Sequence, residues 1–197
     1  MKLHFLASLT LCVALSPNVT AQQAYNVEQE RVNSVLLMFD RSQSILANVS
    51  INYGQPEWKA EYAEQMEDLH GRDLRLGKDW WTTLVTATPL EFGNQTIAPG
   101  VHYLGLRADD EGQMSLLVFD IVDATKRKMV PWDASKWKGG VAIPLELDTE
   151  ASEKPLERMS ITMSQDEEQR DRGRFSIRWG TLELSSSVEF GKLGRKK

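Results

Sequence analysis

From residue 141 onward the chain repeats one pattern, an apolar side chain at every second position. Val141, Ile143, Leu145 and Leu147 keep this period, as do Met159, Ile161 and Met163, then Phe175, Ile177 and Trp179, and Leu182 to Phe190 closes the series. Successive side chains of an extended backbone point to opposite faces, so a period of two describes a strand with one oily face and one wet face. Strands buried on both faces by flanking helices read instead as continuous apolar runs. The pattern therefore requires antiparallel sheets that each cover one face and wet the other.

The first half of the chain follows the same logic with interruptions. Val49, Ile51 and Tyr53 alternate with Asn48, Ser50 and Asn52, and Gly54 and Pro56 stop the run. Trp81 to Phe92 carries Thr82, Thr83, Thr86 and Thr88, β-branched residues suited to strands, before turns at Gly93-Asn94 and Pro99-Gly100. Val101–Arg107 and Met114–Val122 flank Asp109-Asp110-Glu111-Gly112 and predict a hairpin. Two stretches carry helical spacing. Val27, Val32, Val35, Leu36 and Phe39 predict a helix from about Val27 to Ser44, within an N-terminal helical segment over 22–46. Trp58, Tyr62, Met66 and Leu69 predict a helical insertion near 57–70, ended by Gly71. Residues 123–140 form a long connection whose Trp132 and Trp137 are expected to fold back over a sheet edge, and residues 191–197 form a polar tail. The fold class expected is mainly β, an antiparallel β-sandwich of about eight strands over 47–190 with one or two peripheral helices. A closed barrel is the alternative, because a period of two does not distinguish them.

The start of the chain reads as an export signal. A short basic start is followed by the mostly apolar stretch Phe5–Leu15 and by Val19-Thr20-Ala21, so residues 1–21 are expected to be a signal peptide cleaved after Ala21. The apolar stretch, about eleven residues, is too short to span a bilayer as a helix, and no later stretch reaches membrane length, so no integral membrane segment is expected after signal removal. Cys12 is the one cysteine and leaves with the signal. Disulfides and thiol chemistry are thereby excluded for the exported domain, whose expected location is secreted or periplasmic. Lys2 leaves too, so the 23 basic residues become 22 against 28 acidic ones, a formal charge of −6. That balance argues against nucleic acid as a partner, since phosphate backbones need a basic footprint.

Searches for catalytic motifs return little. There is no Gly-x-Ser-x-Gly elbow and no glycine-rich phosphate loop. His70 and His102, the histidines outside the signal, do not form a zinc motif, and the Asp109–Gly112 turn is too short to wrap a calcium ion. No metal or cofactor is expected. Paired carboxylates are harder to dismiss, because the fold rather than the sequence would bring them together. Glu91, Glu146 and Glu183 lie on alternating strands and are expected on wet faces.

The binding signal is aromatic. Six tryptophans, at 58, 80, 81, 132, 137 and 179, are many for a domain of this size. Trp179 alternates with Ile177 and is expected in the core. Trp80 and Trp81 are adjacent, so one must point outward when the other points inward. Around them, Tyr53 ends a strand, Arg72 and Arg75 could fork onto carboxylates, and His102 begins a strand beside Tyr103. Tyr53, Arg72, Arg75, Trp80, Trp81 and His102 are the candidate ligand-binding residues. Asn48-Val49-Ser50 and Asn94-Gln95-Thr96 match the glycosylation pattern, which matters only in a eukaryotic secretory host.

The run Tyr53-Gly54-Gln55-Pro56, then Trp80-Trp81-Thr82-Thr83 with Thr86-Ala87-Thr88, then Ala98-Pro99-Gly100-Val101-His102-Tyr103 resembles the bacterial domain-of-unknown-function family numbered 2911. The closing strands Leu156–Met163 and Phe175–Leu184 are also similar to that family's. The chain departs from the family between Pro56 and Trp80, where a longer helical insertion stands, and at Trp81 and beyond, where the family's tryptophan-arginine-threonine-glycine-alanine run is altered. The resemblance implies an exported bacterial β-rich domain with no established reaction. Three readings compete: a non-enzymatic module binding a glycan or an envelope protein, a hydrolase acting on glycans through paired carboxylates, and a structural or assembly protein.

Overall fold

The computed structural model describes residues 30–39, 45–64, 67–148 and 154–191. The expected signal peptide, residues 22–29 of the expected N-terminal helix and the tail beyond Gly191 lie outside them. Two antiparallel sheets face each other, which decides for the sandwich over the closed barrel. The first sheet runs in the spatial order β1 (Arg31–Phe39), β2 (Ile45–Gly54), β4 (Lys78–Thr86), β7 (Gly100–Ala108), β8 (Met114–Asp120) and β9 (Val141–Pro144), with β3 (Arg72–Arg75) also on β7. The second runs β11 (Leu156–Gln165), β12 (Arg172–Gly180), β13 (Leu182–Phe190), β5 (Leu90–Phe92) and β6 (Gln95–Ile97), with β10 (Glu146–Leu147) on β13.

The alternation read from the sequence builds the space between the sheets. Val49, Ile51, Leu84, Leu104, Leu116 and Ile143 from the first sheet meet Ile161, Phe175, Ile177 and Leu184 from the second, each 2% exposed or less. Burial of such a side chain contributes roughly 1.5–3 kcal/mol, so this layer dominates the stability of the domain. Tyr53 joins the sheets through a polar contact: its ring is buried and its hydroxyl accepts the amide of Ile161 at 3.0 Å. That amide belongs to β11, on the far side of the core.

Several expectations need correction. The N-terminal helix is replaced by strand β1, which pairs with β2 from Arg31↔Gly54 to Phe39↔Ile45. Apolar side chains stand on both faces of Val35-Leu36-Leu37-Met38-Phe39, so they satisfy a helical period and a strand period alike, and the long-range pairing decides. The strand expected to reach Val122 stops at Asp120. There the Asp120 carboxylate accepts the amides of Val122 and Asp123 at 2.9 and 3.0 Å and starts helix α2 (Ile121–Lys126). The strands exceed the expected eight because β1 and β3 are additions, the run over 141–147 breaks into β9 and β10, and short β5 and β6 pair separately.

The insertion near 57–70 holds α1 (Glu61–Glu64) and a 3-10 turn over Glu67–Leu69 rather than one long helix. Its Trp58 and Tyr62 close over Trp179, each with ring centroids 5.1 Å from it. Trp179 is half-buried at the core's margin, its indole N–H donating to the Pro56 carbonyl at 3.0 Å. No helix among the described residues is long and apolar enough to cross a membrane.

Tyr53→Phe removes the bond across the core and leaves the Ile161 amide unpaired. A loss of about 1–3 kcal/mol in urea unfolding is expected, with the strand signal in circular dichroism unchanged.

Candidate functional site

Strands β3 and β4 share one lane beside β7. Arg75 pairs with Gly105 and Thr82 with Leu104, neighbours on β7, so residues 76–81 leave the ladder as one excursion. Local chemistry holds it open. Leu76 is fully buried and its carbonyl accepts the Thr82 hydroxyl at 2.7 Å. Gly77 takes φ +81°, where a Cβ would lie 2.7 Å from that hydroxyl oxygen. Asp79 takes φ 70°, a conformation that Asp tolerates better than most residues, and its carbonyl accepts from Arg75 Nη1 at 2.9 Å. From the other side Arg31 Nη2 donates to the Trp81 carbonyl at 2.7 Å and its Nε to Asn52 Oδ1 at 2.6 Å. Burial lowers the Arg31 pKa, with the charge of Asp79 opposing that shift.

The excursion separates the two adjacent tryptophans. Trp81 lies on the outer face of the first sheet, 1% exposed, stacked on Tyr103 with centroids 4.8 Å apart and planes at 6°. Desolvation raises the Tyr103 pKa. A flap formed by α2 and the chain to Gly140 covers this second apolar cluster. Its Trp137 reaches Trp81 at 4.9 Å and donates from its indole N–H to the Val130 carbonyl at 2.8 Å. Gly105 permits that contact, because a Cβ there would lie 2.5 Å from the Trp137 ring.

Trp80 faces outward and meets Trp132 of the flap at 5.5 Å between centroids and 53° between planes. Both stay open to water, 43% exposed for Trp80 and 65% for Trp132. The same flap lines a cleft of about 500 Å³ together with β3 and β7, walled by Arg72, Asp73, Arg107, Ser135 and Trp137. Asp73 takes Arg107 in a two-pronged ion pair at 2.6 and 2.9 Å, and this hydrogen bonding raises the Arg107 pKa. On the flap, hydrogen bonds from Lys136 and Ser135 hold the Asp133 carboxyl below its ordinary range.

The six residues singled out in the sequence do not come together. Trp80 belongs to the excursion, Arg75 to the ladder just before it and Arg72 to the adjoining cleft. Tyr53 and Trp81 are structural, inside the core and beneath the flap respectively. His102 is buried, its Nε2 2.9 Å from the Ala98 carbonyl, and lines a separate cavity of about 320 Å³ with Asp120, Arg127 and Lys138. Of the two loop tryptophans expected to fold back over a sheet edge, Trp137 covers the outer face of the first sheet instead, and Trp132 is displayed. Arg107 was legible only as the end of a strand and Asp73 only as one charge in the stretch after Gly71; nothing local marks them as cleft walls.

The acidic candidates do not gather at this site. Glu183 is paired with Arg178 at 3.1 Å and Glu146 is exposed on β10. Glu91 faces Glu189 across β5 and β13, on the wall of a hollow of about 610 Å³ over the second sheet. Among the described residues no three His, Cys, Asp or Glu side chains come together as a metal-ligand set. Compared with known proteins, the chain matches no family model, no curated protein and no solved structure.

Gly105→Ala forces the Trp137 ring off the sheet. An unfolding free energy lower by about 1–3 kcal/mol is expected. Tryptophan emission should shift to the red as Trp81 meets water, while the far-ultraviolet spectrum of the sandwich stays the same.

Proposed function

We propose that this chain is an exported, non-enzymatic β-sandwich module that binds a glycan on the Trp80–Trp132 platform. The observation that carries the reading is that two indoles from segments far apart in sequence are brought to 5.5 Å and left exposed. Exposed aromatic surface of that size costs stability that burial would have returned, unless an apolar surface visits it. The C–H face of a sugar ring is such a surface, flat and with hydroxyls around its rim. Arg72 and the Arg107–Asp73 pair in the neighbouring cleft offer donors and acceptors to those hydroxyls. The expected export signal and the resemblance to the family numbered 2911 suit a module working outside the cytoplasm. An envelope protein presenting an apolar edge would dock on the same indoles.

A second reading, hydrolysis of glycans through paired carboxylates, is favoured by the Glu91–Glu189 pair on the second sheet. Glu189 is held by Arg172 at 3.1 Å, and both acids stand on an exposed sheet face. Binding is the stronger reading because a face open to water supplies none of the exclusion that such chemistry exploits.

Co-sedimentation with peptidoglycan sacculi, chitin and cellulose, with affinity electrophoresis through soluble polysaccharides, tests the proposal. Retention by at least one glycan is expected, weakened about tenfold by Trp80→Ala or Trp132→Ala and abolished by both. Unaltered retention in the double variant, or none on any glycan, overturns it. Turnover that disappears in Glu91→Gln would put the hydrolase reading in its place.

A further inference from the structure

Beyond the Trp80–Trp132 platform, a second group of exposed apolar side chains among the described residues lies on another part of the first sheet. Val35, Leu37, Phe39 and Ile45 are 52, 47, 52 and 55% exposed, and Val85, two strands in, is 42% exposed. Strand register places them together. Val35 lies opposite Ser50, which lies opposite Val85, and Phe39 lies opposite Ile45. The strip follows β1, the terminal strand of the sheet.

The backbone of β1 presents its hydrogen-bonding groups in the same direction. The amide of Ala87 donates to the Asn48 carbonyl at 2.9 Å, so Asn48 turns its polar backbone toward β4. Alternation then turns Ser50 and Asn52 the same way, and Ala47, Val49, Ile51 and Tyr53 toward β1. Their partners there are Met38, Leu36, Ser34 and Val32. The odd-numbered residues Asn33, Val35 and Leu37 therefore direct N–H and C=O away from β2, toward the edge. These same residues carry the exposed side chains.

Proteins normally blunt such an edge with charge or proline. From Val32 to Phe39 there is neither. The edge strand of the second sheet, β11, carries Glu157 and Arg158, and β9 ends in Pro144. Only β1 among these edges combines length, a charge-free run from Val32 to Phe39 and exposed apolar side chains at Val35, Leu37 and Phe39.

We propose that β1 pairs antiparallel with β1 of a second copy of this chain, around a two-fold axis at Val35. The register follows from geometry. Groups that point outward occur at odd residues, and the midpoint of Arg31–Phe39 is Val35. Asn33 then stands opposite Leu37 of the second copy, and Val35 opposite itself. Every outward amide between Asn33 and Leu37 finds a carbonyl. No charged side chain faces another between Val32 and Met38, so the contact carries no repulsion even though each exported chain is acidic. Pairing along this nine-residue strand covers the backbone edge and sets Val35 and Leu37 beside their counterparts, a contact at the small end of the range, which suits a weak, reversible dimer. The contact is isologous and closes on itself, so it yields a dimer rather than a fibre.

Two measurements test this on the purified protein. Sedimentation equilibrium should show a monomer–dimer equilibrium with a dissociation constant on the order of micromolar, raised about tenfold or more by Leu37→Lys. The second uses a Cys12→Ser background, which leaves no native thiol. Val35→Cys should oxidise to a linked dimer, because hydrogen-bonded antiparallel partners stand about 5.5 Å apart at Cα, within disulfide reach. Val85→Cys, on the same face but away from the axis, should stay unlinked. A protein that is monomeric up to about 200 μM and gives no Val35→Cys dimer overturns the proposal. So does a dimer that Leu37→Lys leaves intact, or equal linking at both positions.

Discussion

Two sheets are held face to face by side chains that alternate between oil and water, and everything else in the molecule is arranged around keeping that layer dry. The layer contains leucines, isoleucines, valines and Phe175 in near-complete burial. A polar backbone group facing such a layer must find its partner within the protein or pay several times what an exposed bond contributes. The Tyr53 hydroxyl meets that demand at one point, since the amide of Ile161 would otherwise end against apolar atoms. Glycine serves the same end where the chain crowds. At Gly54 a Cβ would lie 2.5 Å from the Lys78 carbonyl, so any larger residue would push β2 from β4 where the excursion begins.

A second, smaller apolar layer sits on the outer face of the first sheet. Trp81, Leu117 and Phe119 would be exposed there without the flap of α2 and the chain that follows it. Asp120 begins the helix that turns the chain back, and the Met129 amide closes it onto the Ala124 carbonyl at 3.0 Å. The display of Trp132 is thus a by-product of covering the sheet. The display of Trp80 is not: it requires six residues to leave a ladder they could have continued. Asp79 at positive φ and the tethers from Arg75 and Arg31 are the cost of that departure. Strain collected at one exposed aromatic is the physical reason to place function there.

Charge contributes placement more than stability. The ion pairs Arg172–Glu189, Arg158–Glu57 and Lys126–Asp123 are solvent-exposed, where such pairs are worth little. Arg107–Asp73 differs in geometry, with two parallel bonds fixing a guanidinium at the cleft wall. Across the molecule the second sheet's outer face is hydroxyl- and arginine-rich, whereas the first carries the tryptophan platform on β4 and the flap and, two strands away, the β1 edge. A module with its ligand face and its pairing edge on one sheet could present two platforms side by side, which raises retention on a repeating polymer without any new contact.

The sequence by itself determined the strands, because a period of two is a local property that survives any arrangement of neighbours. Met159–Met163, Phe175–Trp179 and the hairpin around Asp109 are in place, whereas the run Val141–Leu147 breaks at Leu145 and passes from the first sheet to the second. Adjacency set Trp80 and Trp81 on opposite sides of an extended chain, but Trp81 is covered on the outer face, and the display of Trp80 depends on the excursion. The sequence did not determine whether Val32–Phe39 would be helix or strand, since apolar residues on both faces serve either, and only pairing with β2 chose. Nor did it show that Trp81 and His102 would be buried while Trp132 would join Trp80. Burial is decided by what lies opposite, and the opposite residues are supplied by strands and a flap tens of residues away. Side-chain direction is written locally; the identity of the neighbour is set only when the sheets stack, and a binding surface is made of neighbours.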